Sequence, residues 1–184
     1  MSTTYATALR DLSSEGLIRA ALRGDELAFA VIVDRHQVQM IRVAYVVCGD
    51  LDVAEEAVQA AWPIVWRRLD TVREPERLGA WLASVAVNEA RQLARRQRRR
   101  TVVEISVGGD HARGARDPAH RVEDLDLGFA LAKLSPDDRG LLVLRYVAGL
   151  NSSELAGTFR MSASGLRRRL ARLLDGLRSE LRDA

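Results

Sequence analysis

The sequence contains a single cysteine, Cys48, and only three histidines in 184 residues. One thiol cannot form an internal disulfide, and the histidines have no cysteines near them, so neither a disulfide framework nor a zinc site is expected. Cys48 stands in an apolar stretch, which predicts a core position. The chain also lacks a phosphate-cradling glycine loop, a paired histidine motif and a serine in a strained turn. We therefore expect no cofactor, no metal and no catalytic site.

Long apolar runs are absent as well. No stretch approaches the roughly 20 apolar residues that a membrane span needs, and no basic segment followed by an apolar core opens the chain. These absences predict a cytoplasmic protein without membrane insertion. Proline is rare, at four residues, and runs of β-branched residues are few. Because apolar residues recur at helical spacing instead, the sequence predicts an all-α fold.

The chain is rich in arginine. It supplies 27 of the 28 basic residues, although the formal net charge is only +3. A GC-rich genome would favour arginine over lysine, but it would not gather the arginines into clusters. Guanidinium groups pair with phosphate and with guanine edges, so the clusters indicate nucleic-acid binding.

Composition divides the chain into three parts. Residues 14–100 carry dense helical periodicity, residues 101–123 contain several glycines and little apolar pattern, and residues 124–184 are helical again. This division predicts two small helical domains joined by a flexible linker. Residues 1–13 are expected to fray, as chain ends commonly do.

Local signals predict where helices of the first domain begin and end. Gly24 ends one helix and Asp25 caps the next, which we expect to break before Val38. Asp52 is predicted to cap the following helix, in which Pro63 removes a hydrogen bond and should produce a kink.

The residues from 150 to 170 predict a short helix, a tight turn and a second helix with an arginine-rich face. Asn151 or Ser152 can cap the first helix and Ser162 the second, because their side-chain oxygens accept bonds from free N–H groups. This pattern is typical of a helix-turn-helix, whose second helix enters the DNA major groove. Arg169 is expected to face partly inward. The residues expected to contact DNA are Ser162, Ala163, Ser164, Arg167, Arg168 and Arg172.

Four segments carry a family resemblance. They are LIRAALRGDELAF at 17–29, VAEEAVQ at 53–59 followed by Val65-Trp66, AWLASVAVN at 80–88, and LSPDDRGLLVLRYVAGL at 134–150. In this order, with the linker between the third and fourth, they resemble sigma factors of the extracytoplasmic-function (ECF) type. Those proteins are promoter-specificity subunits of bacterial RNA polymerase. The resemblance implies a sigma region 2-like bundle followed by a region 4-like helix-turn-helix domain.

The resemblance also implies partners. It predicts that the chain binds the β and β′ subunits of core RNA polymerase, promoter DNA and an anti-sigma factor, and that it is a monomer when free. The second of its helix-turn-helix helices would bind the −35 element. The polymerase-binding residues would be Glu55, Glu56, Gln59 and Trp62.

A second DNA surface is implied for the −10 element. The loop 70–77 would capture a flipped base, and the arginines that follow in the next helix would hold phosphates. Trp81 is expected to be a core residue. The residues implied are Thr71, Arg73, Glu74, Arg77, Asn88, Arg91, Arg95 and Arg96.

Three positions depart from the family pattern, and two other functions stay open. Residues 60–63 lack the usual acidic residue, Arg160 stands where the family has glycine, and Gly165 lies in the second helix. We expect Arg160 to carry about 1 kcal/mol of backbone strain if φ is positive, and Gly165 to cost roughly 1 kcal/mol as an interior glycine. The alternatives are a sigma-like adaptor or decoy that does not open promoters, and a dimeric helix-turn-helix repressor.

Overall fold

The protein is all-helical over the residues that the structure describes. The computed structural model describes residues 2–105 and 122–182, so most of the predicted linker lies outside the described residues. The helices are α1 (Ser2–Arg10), α2 (Ser14–Leu22), α3 (Glu26–Cys48), α4 (Leu51–Arg68), α5 (Leu78–Ile105), α6 (Val122–Lys133), α7 (Pro136–Tyr146), α8 (Ser152–Phe159) and α9 (Ala163–Glu180). Two 3₁₀ turns, Leu69–Thr71 and Pro75–Arg77, join α4 to α5. The all-α prediction is confirmed.

Predicted capping residues set the starts of α3, α8 and α9, and Ser135 sets the start of α7. The side chains of Asp25, Ser135 and Ser162 each accept a hydrogen bond from the backbone N–H three residues later, at 3.1 Å. Asn151 caps α8, and Glu154 reaches back to its backbone N–H to complete a capping box. These side chains satisfy donors that a helix start leaves free.

Three predictions about the first domain were wrong. The expected fraying of residues 1–13 is not seen over residues 2–10, because α1 packs on α3 and buries Leu9. The predicted break before Val38 is absent, and α3 continues to Cys48. Asp50, not Asp52, caps α4, since its Oδ1 accepts from the N–H of Val53. The helix α4 runs through Pro63 to its end.

One hydrophobic core joins both halves of the chain. Helices α3, α4 and α5 pack against one another, and α2 covers one side of this bundle. Helix α7 then lies against both α3 and α5, so its buried Leu141 and Leu144 belong to the same core as Met40 and Ala86. Helices α8 and α9 pack on each other and on α7. The two halves of the chain are therefore packed against each other.

Close packing of α7 on α5 depends on a glycine. A Cβ atom at Gly140 would lie 2.9 Å from Cγ1 of Val87 and 3.0 Å from Cδ of Arg91. A valine side chain on a helix has essentially one rotamer, so it cannot swing away from such a contact. Gly140 therefore sets how closely the two helices approach.

Cys48 and Arg139 are two further polar side chains at the core. Cys48 is half-buried against the core, with Sγ 3.7 Å from the carbonyl oxygen of Ala90, and burial raises the pKa of its thiol to about 11. Arg139 is only 7% exposed, and burial lowers the pKa of its guanidinium. The thiol of Cys48 therefore stays protonated at neutral pH.

The turn of the helix-turn-helix places Arg160 at a positive φ, the condition under which backbone strain was expected. Arg160 has φ 51° and ψ 45°, the left-handed conformation that glycine adopts readily and other residues avoid. Gly165, by contrast, lies in the first turn of α9 and donates its N–H to Ser162 Oγ. The expected cost of an interior glycine does not apply at that position.

Replacing Arg160 with glycine should stabilise the protein. Glycine carries no Cβ penalty in the left-handed conformation, so Arg160→Gly should raise the free energy of unfolding by about 1 kcal/mol. Urea denaturation measures the difference. Arg160→Ala is the control, because it removes the same charge and keeps the Cβ atom; equal stability of the two variants would contradict the account.

Candidate nucleic-acid interface

The exposed face of α9 holds most of the side chains predicted to contact DNA. Arg167, Arg168 and Arg172 are exposed, and within the described residues none of them has a carboxylate within 4 Å. Ser162 and Ser164 are exposed at the start of the helix, with their hydroxyl oxygens 3.3 Å apart, and Ala163 beside them is half-buried. A helix start with free N–H groups and unpaired cations next to it attracts phosphate.

Arg169 points the other way. Its Nε donates to Oδ1 of Asp138 at 2.7 Å, and Nη1 lies 3.6 Å from the sulfur of Met161. The prediction that Arg169 faces partly inward is confirmed. Two adjacent arginines therefore differ in role, because Arg168 faces solvent and Arg169 anchors α9 to the start of α7.

Two arginines of α5 that were predicted to hold phosphate instead form ion pairs with a carboxylate of the same chain. Arg91 has a side chain only 11% exposed, donates from Nε to Oδ1 of Asp137 at 2.6 Å, and lies over the ring of Phe159 at 4.1 Å. Arg95 pairs with the other oxygen of Asp137. Burial alone would raise the pKa of Asp137, but the hydrogen bonds from Arg95 and Arg91 outweigh it and hold that pKa below its usual range. The helix-turn-helix half thus supplies the anion that α5 binds here.

The other two residues of α5 that were predicted to bind the −10 element differ in exposure. Asn88 is half-buried and accepts a hydrogen bond from Nη1 of Arg91 at 3.1 Å. Arg96 is exposed, and in the part of the chain that the structure covers it has no carboxylate within 4 Å. Arg96 is therefore open to solvent, whereas Arg91 is not.

The loop predicted to capture a base forms one wall of a cleft of about 290 Å³. Thr71, Arg73, Glu74 and Arg77 line it together with Trp81, which is half-buried rather than fully in the core. The opposite wall comes from the helix-turn-helix half and includes Leu150, Glu154 and Thr158. The structure therefore brings the predicted loop residues together in one concave site.

Arg77 is paired across this cleft. Its Nη2 lies 2.8 Å from Oε1 of Glu154, the same carboxylate that completes the capping box of α8. Thr71 is held locally, because its hydroxyl donates to the carbonyl oxygen of Arg68 at 2.7 Å. Arg73 and Glu74 are exposed.

The outer face of α4 presents the acidic residues of the predicted polymerase surface. Glu55, Glu56 and Gln59 are all exposed on it. Trp62 is half-buried, packs edge-on against Phe29, and has an Nε1 atom that is buried without a hydrogen-bond partner in the described structure. Trp66 packs against the same ring but is 41% exposed.

The sequence analysis missed the residues that pair with arginines predicted to bind DNA. Asp137, Glu154 and Phe159 were not assigned to any interface. No local pattern identifies them, because their partners lie more than 40 residues away.

Comparison with known proteins identifies the family. The family model for sigma-70 region 2 matches residues 32–100, and the model for ECF sigma factors matches residues 77–183, more than half of the chain. The chain therefore belongs to the ECF sigma factor family, whose members direct RNA polymerase to promoters.

Individual relatives agree with this membership. The chain is 28% identical over 180 residues to the ECF RNA polymerase sigma-E factor of Escherichia coli, covering 90% of this chain and 93% of that protein. It is 27% identical over 168 residues to the probable RNA polymerase sigma factor RfaY of Xanthomonas campestris, but spans only 42% of that protein's length and 88% of its own.

A solved structure shares the fold. The sigma factor RpoE from Bartonella quintana, solved in complex with the anti-sigma factor NepR, superposes with a TM-score of 0.65 at 21% identity. The superposition covers 84% of this chain and 96% of RpoE.

Within residues 2–105 and 122–182, no helix is both long and apolar enough to cross a bilayer. In the same ranges, no three acidic, histidine or cysteine side chains gather into a metal site.

Proposed function

We propose that this chain directs bacterial core RNA polymerase to specific promoters through three separate surfaces. The arginine face of α9 would bind the −35 element, the loop 70–77 and α5 would bind the −10 element, and the acidic face of α4 would bind the core enzyme. The chain would act in the cytoplasm and supply no catalytic group, because the core enzyme carries out RNA synthesis.

The observation that carries the proposal is the unpaired arginine face of α9. Arg167, Arg168 and Arg172 have no carboxylate partner in the described structure, whereas Arg169 beside them is paired. Neighbouring like charges repel, so the face gains most when a polyanion neutralises it. Arginine can also bridge O6 and N7 of guanine, which gives a choice of sequence in addition to affinity.

The α4 face supports the polymerase contact by its charge. Glu55, Glu56 and Gln59 are exposed beside a half-buried aromatic cluster, the arrangement of a polar rim around an apolar centre. Trp66, the more exposed tryptophan of that cluster, supplies apolar area at its edge. An anti-sigma factor, of the kind bound to the Bartonella protein, would compete for one of the three surfaces.

Run-off transcription tests the proposal directly. Purified core RNA polymerase is incubated with a library of promoter fragments, with and without the chain. Selective initiation that requires the chain is expected, and sequencing the templates gives the −35 and −10 elements. Stable core binding without initiation would favour an adaptor or decoy, and no core binding would favour a repressor.

Arg168→Ala should weaken −35 recognition. Loss of a base contact costs about 1–3 kcal/mol and relaxes preference at one position of the element. Binding to the selected −35 duplex and to its single-base variants measures both effects. An equal loss on every sequence would show that Arg168 only holds phosphate.

Arg169→Ala is the matched control for this variant. It removes the same side chain one residue along but breaks the ion pair with Asp138. We expect it to lower the free energy of unfolding while leaving base preference unchanged. A change of base preference in Arg169→Ala would contradict the assignment of the two residues.

Glu56→Lys should weaken binding to core RNA polymerase. The substitution reverses a charge on an exposed face, so the core affinity should fall about tenfold or more at low salt and less at high salt. Titration of labelled chain with core enzyme measures it. The control is Asp11→Lys, an exposed reversal of the same size beyond α1; equal core affinity of the two variants would remove α4 from the interface.

A further inference from the structure

Arg160 is the one residue other than glycine with a positive φ in the part of the chain that the structure describes. The other positive-φ positions there, Gly24, Gly49 and Gly149, are glycines, which adopt this conformation without a Cβ penalty. Residues held in a strained conformation occur more often at binding sites than elsewhere, so such a residue calls for a functional explanation.

The fold does not need the side chain of Arg160. The backbone alone closes the turn, because the N–H groups of Arg160 and Met161 both donate to the carbonyl oxygen of Ala156. The guanidinium of Arg160 is exposed, and among the described residues it has neither a carboxylate within 4 Å nor a hydrogen-bond acceptor. A cation at this position therefore adds strain and contributes no contact within the molecule.

The next residue fixes the direction of the turn. Met161 packs against the core, and its sulfur lies 3.6 Å from Nη1 of Arg169. Arg160 and Ser162, on either side of it, are both exposed. The turn is thus anchored through residue 161 and presents residue 160 to solvent.

Arg160 lies within reach of the proposed −35 surface. Two residues separate it from Ser162, a distance of at most about 7 Å along the chain, and an arginine stem adds to this reach. From Ser162 the helix rises about 15 Å to Arg172, with Arg167 and Arg168 between them. Arg160 therefore stands at the opposite end of the arginine face from Arg172.

The shape of the major groove decides what Arg160 can contact. The groove is about 12 Å wide, and a helix with its side chains is about 10–12 Å across, so α9 would fill it. A side chain on the turn just before the helix would then meet a wall of the groove, which is the sugar-phosphate backbone. Arginine in such a position binds phosphate and does not read a base.

We propose that Arg160 is a phosphate-binding residue of the −35 surface, which holds the DNA strand that flanks the start of α9. The contact would offset the backbone strain whenever DNA is bound. This inference rests on the proposed function for the identity of the DNA. It goes beyond that function, because it adds a residue of the turn to a surface so far confined to residues 162–172.

An acidic protein surface is the other class of ligand that suits an exposed arginine. DNA is favoured because the neighbouring unpaired cations, Arg167, Arg168 and Arg172, follow along a helix whose width matches the groove. Binding of Arg160 to a protein is therefore an outcome that the experiment must be able to detect.

Salt-dependent DNA binding by Arg160→Gly tests the proposal. The probe is a fluorescent duplex of about 25 base pairs with random sequence, because phosphate contacts do not depend on sequence. Each lost phosphate contact reduces the slope of log affinity against log salt by about 0.9, which weakens binding roughly fivefold to tenfold at about 0.1 M salt. Equal affinity and slope in Arg160→Gly and the wild-type chain would overturn the proposal.

Two further substitutions at the same position separate charge from backbone conformation. Arg160→Lys keeps the positive charge and the Cβ atom, so it should keep the wild-type slope. Arg160→Ala keeps the Cβ atom without the charge, so it should lose as much affinity as Arg160→Gly although it is less stable. A loss in Arg160→Lys as large as that in Arg160→Gly would overturn the assignment of a phosphate contact.

Arg42→Ala is the matched control for net charge. Arg42 is exposed on α3 and has no carboxylate within 4 Å among the described residues. Its removal should change the affinity for the duplex by less than about twofold, because long-range attraction is screened at this salt concentration. A loss equal to that of Arg160→Gly would show that only net charge matters, and would overturn the proposal.

Sequence dependence and core affinity distinguish the remaining possibilities. Arg160→Gly should lose the same factor on the selected −35 duplex and on a scrambled one; a loss confined to the selected duplex would make Arg160 a base reader and overturn the phosphate role. A loss of affinity for core RNA polymerase, with duplex binding unchanged, would assign Arg160 to a protein partner and overturn the proposal as well.

The duplex measurement also keeps this inference apart from the proposed function. If the wild-type chain supports no initiation but Arg160→Gly still loses duplex affinity and salt slope, the proposed function fails and the contact of Arg160 stands. If the chain initiates selectively and Arg160→Gly binds the duplex as the wild type does, the inference alone fails. A wild-type chain that binds no duplex at low salt would overturn the inference too.

Discussion

The packing of α7 against α5 is the contact on which the rest of the arrangement depends. At Gly140 the two helices approach so closely that a methyl group would meet Val87 and Arg91. That approach brings Asp137 to Arg91 and Arg95, and it places Phe159 under the guanidinium of Arg91. Without the close approach, the two halves would keep separate small cores, each with less apolar area to bury.

Apolar and charged groups contribute differently to the contact of α7 with α5. Leu141 and Leu144 supply stability, because burying apolar surface is favourable whatever the orientation. The partly exposed ion pairs of Asp137 with Arg95 and of Glu154 with Arg77 help to fix the register of the contact, and pairs of this kind contribute little to stability.

Local features of the structure could be predicted from the sequence, and long-range ones could not. The caps at Asp25 and Ser162 follow from a few neighbouring residues, and both predictions are confirmed. Asp50 was missed in favour of Asp52 because both residues offer the same oxygen near the same helix start.

The same contrast between local and long-range features applies to the candidate binding surfaces. Periodicity identified the exposed faces of α4 and α9, because an exposed face is a property of one helix. It could not show that Arg91 is buried, since the burial comes from Asp137 and Phe159 in the other half of the chain. The need for glycine at position 140 likewise could not be predicted, because it depends on the contact with Val87 in another helix.

Small-angle X-ray scattering of the free chain tests the docked arrangement most directly. A compact chain of this length has a radius of gyration of about 16 Å, and two halves separated on a linker have a clearly larger one. The account predicts a value near the compact limit for the wild-type protein at moderate salt. A radius well above that limit, unchanged between wild type and Gly140→Ala, would contradict it.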